Sequence, residues 1–235
     1  MMRYATLLLL ASAAFADDAA DAAARPVIQD YYSTLRGENR VTIESVRDRL
    51  VPLMKQFGPE TGKSVRYVIQ QGFERKYKKS LSYKRCLCEI LAAGGDSGIA
   101  MLVKEYNSST KDDPLRVAMA ESLAKCGDEK ALDPLLKMAF DKAPEVAAAA
   151  VRGCGNYAKV KPDKRKAAVK KLVDLYGKVT DDSAGKAPEA PPMKMYTALR
   201  PAMDETLKAM TGEGLDSAAA FKAWLQENAT KPWPE

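Results

Sequence analysis

Apolar positions along this chain recur at helical spacing, and nowhere do they alternate as a strand would. Between Thr42 and Phe57, Ile43, Val46, Leu50, Leu53 and Met54 follow one another mostly at intervals of three and four residues, which places them on one face of a helix. Thr42 is suited to cap it, Glu44 falls in its first turn, and Gly58-Pro59 ends it. Thr61 to Arg75 repeats the pattern with Val65, Val68, Ile69 and Phe73, and a further helix runs from about Ser80 to Ala93 before Gly94-Gly95. Upstream, Pro26 to Leu35 predicts a short first helix, with Pro26 near its start and Gly37 beyond its end. The preceding residues 17–25, small and polar, read as a flexible N-terminal end. Downstream, Met193 to Met210 and Ser217 to Asn228 predict two helices, with Pro201 interrupting the first.

In the middle of the chain one grammar is used three times. The segments LSYKRCLCEILAAGGDSGIAMLVKEY, DPLRVAMAESLAKCGDEKALDPLLKMAF and APEVAAAAVRGCGNYAKVKPDKRKAAVKKLVDLY each hold a small-residue helix, a Gly-Asp or Gly-Asn turn, and a second amphipathic helix. The turns fall at Gly95-Asp96, Gly127-Asp128 and Gly155-Asn156, spaced 32 and 28 residues apart. A period near 30 built from helical hairpins is the mark of an α-solenoid. In each turn the glycine is expected to take the left-handed conformation that closes a helix, and the Asp or Asn to cap the next one. Asp113 is the expected N-cap of its helix.

The segment DPLRVAMAESLAKCGDEKALDPLL (Asp113 to Leu136) resembles a short HEAT-like repeat: Asp-Pro, an Arg, an Ala-rich first helix, Gly-Asp, then a second helix with paired Leu. Tyr83 to Tyr106 and Pro144 to Tyr176 are similar, the latter with Gly-Asn in place of Gly-Asp. The ending LKAMTGEGLDSAAAFKAWLQENATKPWPE resembles the tail of exported HEAT-repeat proteins of envelope-rich bacteria such as planctomycetes. The resemblance implies an all-α fold, an α-solenoid of stacked antiparallel helix pairs with a C-terminal helical cap. It also implies a non-catalytic scaffold that binds protein partners. The expected organisation is a signal peptide at 1–16, a flexible end at 17–25, the solenoid at 26–176, a polar linker at 177–192 and the cap at 193–235. Residues 26–79 carry no motif that proves them to be repeats.

The first sixteen residues change the compartment. Arg3, an apolar run from Ala5 to Phe15, and the small-x-small step Ala14-Phe15-Ala16 form a secretory signal pattern. The run is shorter than the roughly 20 residues of a membrane span. The expectation is therefore export to the periplasm or outside after cleavage near Ala16, with no transmembrane anchor. Across 235 residues there are 37 basic and 31 acidic side chains and no histidine. The missing histidine excludes Ser-His-Asp and Cys-His catalysis in their usual forms and any His-ligated metal site. No cofactor or metal is expected.

Three sets of residues remain as candidates. Second helices of the repeats offer a partner surface around Lys104, Glu105, Lys137, Lys170 and Lys171. Residues 59–85 and 159–178 each carry a net charge of +6, so Lys76, Lys78, Lys79, Lys164, Arg165 and Lys166 could attract an anionic envelope polymer. Nucleic acid is not an expected partner of an exported chain. The four cysteines, Cys86, Cys88, Cys126 and Cys154, read as small core residues. The last two occupy equivalent places in successive repeats, where helix packing keeps Cα atoms roughly 8–10 Å apart, beyond the ~7 Å limit of a disulfide. A bridge from Cys86 or Cys88 to Cys126, and a cysteine-dependent redox role, are the alternatives.

Overall fold

The computed structural model describes residues 19–38, 41–57, 59–74, 77–231 and 233. The signal pattern at 1–16 lies outside them, as do Gly58, Arg75 and Lys76. Among the described residues the fold is all α. Eleven helices follow in order: α1 (Ala19–Arg36), α2 (Ile43–Met54), α3 (Pro59–Gln70), α4 (Leu81–Ala92), α5 (Gly95–Ser108), α6 (Asp113–Lys125), α7 (Leu132–Met138), α8 (Pro144–Gly155), α9 (Pro162–Ser183), α10 (Pro191–Thr211) and α11 (Ala218–Glu227). The chain divides into two compact units, Met1–Ser109 and Thr110–Glu235.

In the first unit α1 packs on α2, α2 on α4, and α3 on α5. Helix α4 also packs on α5 and on α3. The helices of this unit start as their sequences dictate. Thr42 accepts from the Ser45 amide at 3.2 Å and Ser80 from the Tyr83 amide at 3.2 Å, each satisfying one of the orphan donors of a helix start. The apolar stripe of α2, with Ile43, Val46, Leu50 and Met54, is buried as its spacing predicts. The third helix ends at Gln70, earlier than the pattern suggests, and a 3-10 turn over Gln71–Phe73 follows.

The second unit holds three helix pairs. Helices α6, α8 and α10 stack in one row, and α7, α9 and α11 in the other. The central helix α8 is buried almost all round, from Val146 to Val151, which its alanines permit because they let neighbouring backbones approach. Gly153 serves the same end. A Cβ there would stand 2.9 Å from the Ala124 Cβ and 3.1 Å from a Leu135 methyl.

Several expectations are corrected. Residues 19–25 are helical, because the Ala-rich run propagates α1 and buries Ala24 completely. Pro26 is carried inside that helix, its cost of roughly 3 kcal/mol offset by the buried Val27, Ile28, Tyr31 and Leu35 that follow. The polar stretch from Gly177 to Ser183 is the end of α9. Val179 and Ser183 are buried there, while Thr180 and Ser183 return hydroxyl bonds to the carbonyls of Tyr176 and Thr180 at 2.8 Å each. Pro201 does not break α10, because it sits on the exposed face. The N-cap of α6 is Asp112, which accepts from the Leu115 amide at 3.2 Å. The turn glycines Gly95 and Gly127 have φ of +62° and +72° as expected, but Gly155 stays helical. Its lack of a side chain serves packing instead, since a Cβ there would lie 3.3 Å from the Thr206 hydroxyl of α10. The C-terminal segment holds two helices, as expected, α10 resting on α8 and α11 on α9.

Candidate functional site

The expected partner-binding residues fall in both units. In the first, Lys104 is exposed on α5, while Glu105 is half-buried and accepts from the Gln70 side chain of α3 at 2.5 Å. That bond ties two stacked second helices together. In the second unit Lys137 of α7 and Lys170 and Lys171 of α9 are all exposed, on helices that pack beside each other.

The outward stripe of α9 holds Asp163, Lys170, Lys171, Asp174, Lys178, Asp181 and Asp182. Lys170, Asp174, Lys178 and Asp182 follow at four-residue intervals with alternating sign, the spacing of neighbours on a helix surface. The net charge of +6 over 159–178 therefore does not appear as a uniform basic face.

The other basic residues of that segment act within the protein. Lys164 donates to the Glu129 carbonyl at 2.9 Å and sits 4.0 Å from its carboxylate. Arg165 is buried, donates to the Ala158 carbonyl at 2.7 Å, and lies 5.8 Å from the Trp233 ring centre. Lys166 donates to the Ala229 carbonyl. The last two hold the chain end, where Trp233 is 8% exposed and meets Trp224 edge-on at 5.3 Å. In the first unit Lys79 donates to the Thr34 carbonyl at 2.6 Å and lies 4.8 Å over the Tyr83 ring. Burial pulls its pKa down. Lys78 is exposed and has a left-handed backbone at φ +47°. Lys76 lies outside the described residues.

All four thiols are free. Cys86, Cys88 and Cys154 are buried and Cys126 is half-buried. Burial pushes the Cys154 thiol up to about 12 and Cys88 well above its ordinary value of 9.0. Both stay protonated near neutrality, the opposite of what a nucleophilic or redox thiol needs. Cys86 is also raised by burial, partly countered by the Arg47 guanidinium.

Sequence reasoning missed two devices that join repeats. Arg116 of α6 pairs with Asp141 in the turn before α8, and with Asp113 at 3.0 Å. Asp141 also accepts from the Ala143 amide at 2.8 Å, satisfying a donor just before α8. Asn156 and Tyr157, after α8, reach back to the end of α6. There Asn156 donates to the Ala124 carbonyl at 3.0 Å and Tyr157 to the Leu123 carbonyl at 2.5 Å. At this junction the later repeat supplies donors to carbonyls at the end of α6. The Gly-Asn in place of Gly-Asp was the signal: an amide can donate to a carbonyl, and a carboxylate cannot.

Stacked helices with this turn chemistry are what an α-solenoid is built from. The family model for HEAT repeats matches residues 99–187, from within α5 to just beyond α9. Over that stretch the chain is similar to HEAT repeats. No curated protein and no solved structure matches the chain. The match covers less than half the chain. HEAT-like repeats are typically non-enzymatic scaffolds that hold protein partners. Among the described residues no helix is long and apolar enough to cross a membrane.

Proposed function

We propose that this protein is an exported, non-catalytic scaffold that holds a protein partner on the second-helix row of its C-terminal unit. The observation that carries the reading is the contrast on adjoining α7 and α9. Lys164, Arg165 and Lys166 are spent on internal bonds, whereas Lys137, Lys170 and Lys171 stand exposed beside acidic residues on the same faces. A face of alternating charge suits a partner of complementary pattern more than a uniformly charged polymer. The signal pattern of residues 1–16 supports export to the periplasm or beyond.

An affinity capture from envelope extract with the chain from residue 17 onward tests the reading. A defined protein should be retained at low salt and at high salt. The triple substitution Lys137→Glu, Lys170→Glu and Lys171→Glu should release it. Retention undiminished by the triple substitution would remove this surface from the proposal. Material that is acidic polymer rather than protein, and is lost at high salt, would replace the scaffold reading with binding of an anionic envelope polymer.

A further inference from the structure

Between Lys164 and Ser183 the exposed charged residues of α9 are Lys170, Lys171, Asp174, Lys178, Asp181 and Asp182. At about 100° of turn per residue they share one sector of the helix, roughly 120° wide. Among the described residues none of them forms an ion pair or a side-chain hydrogen bond.

Their order has a symmetry that a merely solvated face does not need. Counted outward from residue 176, the N-terminal side carries −, + and + at two, five and six residues, and the C-terminal side carries +, − and − at the same distances. A second α9 laid antiparallel across this face, centred on residue 176, therefore brings opposite charges together throughout. Helical angle and height place Lys170 against Asp181 of the second copy, Lys171 against Asp182, and Asp174 against Lys178. A two-fold axis makes each contact twice. A parallel copy in the same register would set like charge against like.

Gly177 adjoins the centre of this pattern. A glycine inside a helix lowers its stability, and a Cβ here would meet nothing within 4 Å, so the chain's own packing does not call for one. Beside a crossing helix its bare flank leaves room for the side chains of a second copy.

We infer that the outward face of α9 is a self-association surface, whose partner is a second copy of this chain bound antiparallel about a two-fold axis near residue 176. This rests on the scaffold reading of the α7 and α9 surface and names its partner. The charges set register and orientation. The aliphatic stems of the lysines, laid over the flank of Gly177, supply contact that salt does not screen.

The test is sedimentation equilibrium on the chain from residue 17 onward, which holds all the described residues, at about 5–500 µM, the range of a weak dimer. The chain should dimerise. Lys170→Glu with Lys171→Glu, and separately Asp181→Lys with Asp182→Lys, should each weaken the dimer about tenfold or more. Mixing these two variants should restore association, and so should all four substitutions in one chain. Circular dichroism checks each fold. Lysines at a helix C-terminus suit its dipole, so the second variant carries the test if the first does not fold. A monomer throughout the range overturns the inference. So does a dimer that the charge reversals leave intact, or one that neither the mixture nor the fourfold variant restores. In those cases a foreign protein captured from envelope extract leaves the scaffold reading standing, whereas a monomer together with an empty capture removes both.

Discussion

The pair between Arg116 and Asp141 offers the sharpest test of how one repeat is fixed to the next. The Asp141 side chain is 4% exposed and that of Arg116 12%. Removing one partner of a buried pair leaves an uncompensated charge, which costs roughly 3–5 kcal/mol. In Asp141→Ala two local facts adjust this figure. Arg116 retains Asp113 at 3.0 Å, but that carboxylate is half exposed and compensates only in part, which favours the lower end of the range. The Ala143 amide also loses its acceptor, which adds about 1 kcal/mol. The expected cost is therefore about 3–4 kcal/mol.

The assay is urea unfolding followed by circular dichroism, with Asp141→Ala, Arg116→Met and the double variant forming a cycle. The two units can unfold in separate transitions, so the quantity to read is the transition of the C-terminal unit. Arg116→Met leaves Asp141 buried and should cost a similar amount. The double variant should cost clearly less than the sum of the singles, with a coupling of at least about 1 kcal/mol. Additive single costs, or a cost below about 1 kcal/mol for Asp141→Ala, would refute the view that this pair joins the repeats.

Other expectations follow from the same contacts. Gly153→Ala should destabilise by about 1–3 kcal/mol through overpacking against Ala124 and Leu135, read as a drop in melting temperature. Trp233→Ala should cost about 3 kcal/mol and speed tryptic cleavage at Lys222, because it uncovers Arg165 and Trp224. An aromatic thiol reagent should modify Cys126 first, and Cys88 and Cys154 only as the chain unfolds. The raised folded pKa of Cys154 makes stability pH-dependent at the alkaline side. Its contribution is complete below the ordinary thiol value of 9.0 and is lost as pH rises from there toward about 12, a decline measurable by unfolding at stepped pH.

The pattern of apolar residues carried most of the fold because each helix buries a stripe that its own sequence spells out, as α2 does with Ile43, Val46, Leu50 and Met54. Where that legibility ended, the deciding force was tertiary. The run from Gly177 to Ser183 is polar enough to read as a linker, yet it continues α9 because Val179 and Ser183 find a buried seat and the hydroxyls satisfy the carbonyls above them. Gly155 looked like a turn glycine because helices end at glycines, but its smallness answers to Thr206, a residue 51 positions away. The candidate surfaces show the same limit in electrostatic form. Net charge is a property of a segment, whereas a basic face is a property of directions. In Lys164-Arg165-Lys166 one residue turns to Glu129, one under Trp233 and one to Ala229, so three adjacent cations never form a patch. Lys170 and Lys171 point outward because Leu172 and Val173 take the core positions beside them. Burial is thus what sorts the cations of α9, leaving some to bind the protein to itself and others to face a partner.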